Sequence, residues 1–189
     1  MLKTRTEVLR RALTIIPTKG FTDETLVEAV TAQGLSKMCV GAMFPRGPVE
    51  MVEHVMQTAN ASTAAELANA QPTTPARSSR DIVKLGLNHR LECITPYAEH
   101  WSVAIALTMN PTSLPRAALL TAHLVDEVAF HADKTDAPNH GMQWYVRRAA
   151  LCALYGAAEI HLIGDSTAGK TQTKLFVSTS VDNFWCAQK

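Results

Sequence analysis

An all-α fold of about nine helices follows from three features of the sequence. Apolar residues recur at helical spacing along nearly the whole chain. The stripes are separated by short clusters rich in Pro, Gly, Asn, Thr and Ser. No Asn-Gly or Asp-Gly pair, the strongest short hairpin signal, occurs anywhere.

The elements follow in order. In the first helix, about residues 4–17, Val8, Leu9, Ala12, Leu13 and Ile16 share one face. It is expected to stop near Pro17 and Gly20. Thr22 caps a second helix, about 23–33, with Thr25, Leu26, Ala29 and Val30 inward and Gly34 as its terminating residue. Ser36 is expected to cap a short third helix that ends before Pro45. A fourth runs from Pro48 to about 70 on a stripe of Val52, Val55, Met56, Ala59 and Leu67. The segment 71–79 is a loop. A fifth helix covers about 80–94 and ends at Pro96, and a sixth covers about 97–109. Asn110 to Pro115 breaks the chain before a seventh helix that reaches about 133. A polar stretch, 133–140, precedes an eighth helix at 141–163, and a ninth at 168–185 closes the chain. Residues 1–46 form a three-helix, helix-turn-helix-like unit, and 47–189 one larger helical bundle for ligand binding and dimerisation.

Composition narrows the function. The chain has 189 residues, 47% hydrophobic and 19% charged, with a net charge of +1. That is ample core material, and it excludes a disordered tail protein. No bulk field draws the chain to nucleic acid or anionic lipid. No apolar run approaches the ~18 residues of a membrane span. Cys39, Cys93, Cys152 and Cys186 are scattered among apolar neighbours and form no C-x-x-C, so they read as small buried hydrophobes in a reducing compartment. The first twenty residues are basic, which suits a mitochondrial presequence, but their helical stripe reads as a folded helix.

Four motifs require weighing. Gly164-Asp-Ser-Thr-Ala-Gly169-Lys170-Thr171 fits the phosphate-loop pattern. That loop needs a strand before it and a parallel sheet behind it, and a polar connector between two helices is the better reading, with no ATP site. His123, Glu127 and His131 recur at i, i+4, i+8. Three turns span ~12 Å, so one metal would use at most two of them, and no metal or cofactor is expected. His89, His100 and Glu99 could supply a general base, but no nucleophile motif accompanies them, so no catalytic residue is assigned. Finally, helices one to three match the layout of TetR-type repressors in Gly20-Phe21, Gly34-Leu35-Ser36 and Met43-Phe44. A DNA reader needs basic and amide side chains on its third helix. Here Lys37 is the one candidate, with Arg46 just beyond it, and residues 1–56 hold seven Lys/Arg against six Asp/Glu. The unit reads as that fold without its DNA chemistry.

In the eighth helix no charge occurs from 149 to 158, and Ala149, Ala153 and Ala157 repeat at i, i+4 beside Gly156. This fits either a central core helix or the seam of a homodimer.

These residues also carry a resemblance. Ala12-Leu13, Pro17, Gly20-Phe21-Thr22 and Gly34-Leu35-Ser36 with Met43-Phe44 resemble the start of the ubiquinone (coenzyme Q) biosynthesis protein COQ9 family. Pro96-Tyr97-Ala98-Glu99-His100-Trp101 and Val125-Asp126-Glu127 resemble its middle. Trp144-Tyr145-Val146-Arg147-Arg148-Ala149, with Leu154-Tyr155 and Glu159, resembles its hallmark helix. The resemblance covers about residues 5–185. It implies a TetR-like fold that does not bind DNA, and a non-enzymatic accessory role in ubiquinone biosynthesis. It implies a bound isoprenoid or quinone-precursor lipid, presented to the di-iron demethoxyubiquinone hydroxylase, in the mitochondrial matrix at the inner membrane. Trp101, Leu107, Met109, Leu119, Leu120, Leu124 and Tyr155 would suit an apolar tail, or equally a filled core. The hydroxylase patch carried over from the family falls on Asp126, Val128, Trp144, Tyr145 and Arg148, with an inward-packed Trp144 as the alternative. The chain departs from the family at Ala129, where an aromatic is usual, and at Asp133-Lys134, where Gly-Asp is usual. The family's amphipathic membrane helix would begin after about residue 185, so with the end at Lys189 either it was removed or membrane contact is lost. A ligand-responsive TetR-type repressor is the alternative function, and a small NTPase a weaker third.

Overall fold

The computed structural model of the chain describes residues 2–70, 77–134 and 142–186, with the side chains of residues 2 and 3 set aside. The described residues are mostly helical and hold nine α-helices: α1 Leu2–Lys19, α2 Asp23–Thr31, α3 Cys39–Met43, α4 Val49–Asn69, α5 Ser79–Ile94, α6 Trp101–Thr108, α7 Leu114–Asp133, α8 Met142–Gly164 and α9 Thr171–Cys186. No strand occurs among them. Most of the 71–79 loop, the 135–140 part of the polar stretch and Lys3's side chain lie outside the described residues.

The chain forms two compact units, residues 1–58 with 96–117, and residues 59–95 with 118–189. The first therefore adds the start of α4, α6 and the start of α7 to the three N-terminal helices.

In the first unit, α1 buries Val8, Leu9, Ala12, Ile15 and Ile16. Pro17 does not stop it, and α1 runs on to Lys19. So close to the end, a proline forfeits one hydrogen bond without a turn following it to be displaced. Gly20, at φ +72°, ends the helix, and its N–H reaches the Ile16 carbonyl at 2.8 Å. A Cβ there would stand 3.0 Å from Nδ1 of His100, so this turn needs glycine for space as well as for conformation. Phe21 then packs edge-on against Trp101, ring centres 5.9 Å apart. Thr22 caps α2 by accepting from the Thr25 amide. Ser36 accepts from the Met38 amide, yet α3 begins only at Cys39, with Met38 at its cap and no side-chain bond. The expected cap thus organises the turn before the helix.

Between α5 and α6 the chain does not break at Pro96. Residues Thr95–His100 continue as 3-10 helix. Proline has no N–H for the α-helical ladder, and the tighter winding carries the chain past it.

A charge network holds the corner between α3 and α4. Glu53, on α4 and 4% exposed, takes both Arg46 Nη atoms at 2.5 and 2.6 Å and Arg116 Nε at 2.8 Å. Glu50, equally buried, accepts from the Arg46 amide and pairs with Arg5.

In the second unit, Ser78 and Asp81 form a reciprocal capping box at the start of α5. Leu67, Val83, Leu87, Leu124, Val128, Leu151, Tyr155 and Val177 make up much of its core. Gly86 sets the approach of α5 to α7, since a Cβ there would lie 2.8 Å from Cγ2 of Val128 and 3.4 Å from both Leu67 methyls. Gly86→Ala should cost about 1–3 kcal/mol through overpacking, despite alanine's better helix propensity. Urea denaturation measures this, and a stabilised variant would refute the close approach.

Gly164 to Thr171 joins α8 to α9, with no strand before it. Asp165, 2% exposed, organises the connector. Its carboxylate accepts from the amides and hydroxyls of both Thr167 and Thr173, and Lys170 Nζ donates to its carbonyl. Burial pushes the Asp165 pKa up, but the bonds from Thr167 and Thr173 outweigh it and hold the carboxyl well below the ordinary range. A depressed folded-state pKa stabilises the fold above the unfolded value of ~3.9 and loses that contribution as pH falls below it. Asp165→Asn should therefore lower Tm at neutral pH, and the gap to wild type should narrow below about pH 4. A gap constant from neutral to acid pH would show that the charge is not what matters.

Candidate functional site

On the surface of the second unit, α7 and α8 line a groove of about 600 Å³ with His123, Asp126, Glu127, Phe130, Trp144 and Arg148. Helical geometry sorts the residues of α7. Leu124, Val125, Val128, Ala129 and Ala132 are buried, while His123, Asp126 and Phe130 face out. Glu127 bonds the buried His131 across one turn at 3.1 Å. No group of three or more metal donors occurs among the described residues.

Two neighbouring arginines at the start of α8 point different ways. Arg147 is buried: it donates to Asp133 at 2.9 Å and Ser79 at 2.8 Å, and lies 4.7 Å over the Trp185 ring. Arg148 turns to the groove, where its Nε donates to Asp126 at 2.6 Å and its guanidinium lies 3.7 Å over the Trp144 ring. Trp144 meets Tyr145 edge-to-face at 4.8 Å, and Tyr145 is 66% exposed. The result is a half-buried indole clamped between a cation and a phenol, beside a carboxylate. Such an arrangement is rigid before any partner arrives, which lowers the cost of ordering on binding.

Of the five residues assigned to a partner surface, Asp126, Trp144, Tyr145 and Arg148 cluster here. Val128 does not. It is fully buried, with Cγ2 beside Gly86. Two residues along a helix is a rotation of about 200°, so Asp126 and Val128 must face opposite ways. Trp144 lines the groove and does not pack inward as the alternative had it. Phe130, 54% exposed with Lys134 Nζ 4.0 Å from its ring centre, was missed. Its signal was the i, i+4 spacing from Asp126. Ala129, where the resemblance has an aromatic, is buried, and the exposed aromatic of this segment is Phe130, one residue on.

The seven residues assigned to a lipid divide between the units. In the first, Trp101 is buried against Phe21, Leu107 is half-buried and Met109 is 59% exposed. In the second, Leu120, Leu124 and Tyr155 are buried and Leu119 is 52% exposed. Met109 and Leu119 are surface residues and line no interior, which corrects their assignment.

Three of the groups considered for catalysis or DNA contact, His100, His89 and Arg46, are engaged elsewhere. His100 packs under Gly20, and His89 Nε2 bonds Ser62 Oγ at 3.0 Å. Arg46, next to the expected reading helix, is clamped to Glu53 and is not free to meet a phosphate.

Residues 114–186 match the family model described as COQ9. The chain is 28% identical over 182 residues to the ubiquinone biosynthesis protein COQ9, mitochondrial, of Drosophila melanogaster, covering 94% of this chain and 54% of that protein. It is 27% identical over 183 residues to the human protein of that name, covering 93% and 56%. The Schizosaccharomyces pombe counterpart is 28% identical over 178 residues, covering 93% and 68%. The chain thus spans a little over half the length of the fly and human relatives. The matched helices α7 to α9 include both walls of the groove, and over nearly its whole length the chain is similar to these COQ9 proteins.

Proposed function

We propose that this protein acts in ubiquinone biosynthesis, in the mitochondrion, as a non-enzymatic accessory that binds a polyprenyl quinone precursor and presents it to the di-iron demethoxyubiquinone hydroxylase. The observation that carries this reading is the clamped Trp144, with Arg148, Tyr145 and Asp126, on an exposed groove. Aromatic and Arg side chains at one desolvated spot are the usual anchors of a protein interface. The relatives' names supply the pathway and the compartment. Contact at the inner-membrane face belongs to the same proposal. Mass spectrometry of an organic extract of the purified protein tests the lipid: a prenylated aromatic is expected, and an extract with only bulk phospholipid would count against it.

A homodimer through α8 is part of the reading. Val146, Ala149, Ala153, Ala157 and Ile160 form one exposed, uncharged stripe, joined by exposed Leu175 on α9. Small residues let two such helices approach closely, and a stripe that pairs with its own copy closes in two-fold symmetry. Because Ala153 is exposed, Ala153→Arg should leave the protomer folded and shift sedimentation from dimer to monomer. A wild type that is monomeric at high concentration would refute the dimer.

A further inference from the structure

Inside the second unit, one cation has been taken wholly out of water without an acceptor for most of its donors. Arg90, on α5, is fully buried. Its Nε donates to Asn60 Oδ1 at 3.0 Å, while Nη1 and Nη2 have no hydrogen-bond partner. The Asn60 amide is itself committed, because its Nδ2 donates to the Leu120 carbonyl at 2.8 Å. The guanidinium also lies 5.6 Å over the Tyr155 ring. Tyr155 in turn donates its hydroxyl to Glu159 at 2.6 Å, and burial keeps that hydroxyl protonated. One edge and one face of the guanidinium are therefore fixed by α4, α7 and α8, and the remaining fork is held in place with nothing to bind. A buried, unpaired guanidinium is costly, and a site that holds one so firmly calls for a missing acceptor.

We propose that Arg90 is the polar anchor of an interior ligand site, its Nη1 and Nη2 taking two acceptor oxygens of an otherwise apolar ligand. The inference rests on the lipid-binding reading above and adds which atom group of the ligand is recognised. The planar fork suits paired oxygens, as on a carboxylate or on neighbouring oxygens of a quinone ring. The core of the same unit, Leu124 and Leu151 among it, is apolar.

Three probes separate the possibilities: decanoate, decylubiquinone, and decylbenzene, which has a ring and tail but no oxygen. Each displaces the fluorescent hydrocarbon diphenylhexatriene from wild-type protein and from Arg90→Met, which keeps the volume and removes the donors. Arg90→Met should weaken one or both oxygen-bearing probes by about tenfold or more and leave decylbenzene unchanged. Loss for decanoate alone identifies a carboxylate, and loss for decylubiquinone alone a quinone. No selective loss, or an equal loss for all three, overturns the proposal, the nitrogens then being served by water. If no probe binds the wild type, the lipid reading falls and this inference with it. If decylbenzene binds but Arg90 makes no difference, this inference alone falls. Should Arg90→Met fail to fold, NMR of ¹⁵N-arginine side chains in the wild type decides: the Arg90 signals should shift with an oxygen-bearing probe and not with decylbenzene, and unmoved signals overturn the proposal.

Discussion

Trp144→Lys is expected to fold, to keep the lipid proposed as its ligand, and to lose about thirtyfold or more in affinity for the hydroxylase proposed as partner. A desolvated tryptophan at an interface centre is worth ~2 kcal/mol or more, which is the thirtyfold. The substitution also removes the surface on which Arg148 rests at 3.7 Å, and places a second cation beside it. In the free protein that ammonium can extend into water, because the groove is open and Trp144 only half-buried. Bound, it would lie in the contact with Asp126 already held by Arg148. Surface plasmon resonance on wild type and variant checks the affinity, and thermal melting checks the fold. Wild-type affinity in a folded variant would refute the groove as the interface. Phe130→Ala offers a milder control from the opposite wall, since its ring shares the groove but lies outside the Trp144 clamp.

Removing both arginines from Glu53, as Arg46→Ala with Arg116→Ala, should destabilise the protein by about 2–3 kcal/mol. Breaking a fully buried pair from one side typically costs ~3–5 kcal/mol, because a charge is left without compensation. Here Glu53 is 5% exposed on its side chain but Arg46 and Arg116 are 38% and 52% exposed, so solvent already screens part of the attraction. Each single substitution should cost less than half of the double one, since the other arginine still meets the carboxylate. Adding Glu53→Gln to the double variant should recover stability, because the amide can stay buried without a counter-charge. Urea denaturation of the wild type and these four variants closes the comparison. No recovery on Glu53→Gln would mean that the cost lies in lost arginine packing, not in the stranded charge.

The helices were legible because their signals are local. Apolar spacing, Thr22 before α2, Gly20 after α1 and the polar connector at 164–171 each act within a few residues, and the structure has them at those places. Pro17 reads as a stop two residues too early, since α1 runs to Lys19, whereas α5 does end just before Pro96, at Ile94, and the chain goes on as 3-10 helix. A proline removes one donor, but whether the helix ends there depends on where in the helix it falls and on whether a tighter turn can follow. The partner patch came from the family resemblance and not from spacing, and it drew in Val128 from the buried face of α7 and left out Phe130.

The sequence by itself determined the helical class, the order of the helices and the reading of 164–171 as a connector between two helices, because these depend on periodicity and on turn chemistry within a window of a few residues. Only the tertiary structure decided what the charged groups do. Arg147 and Arg148 are identical neighbours in the chain, yet one is buried on Asp133 and Ser79 and the other covers Trp144 in the groove. Asn60 and Arg90 are 30 residues apart, and Arg46 finds Glu53 one helix on. A charged side chain takes its role from the partner that remains within reach once water is excluded, and that partner is chosen by packing between helices, which no local pattern records.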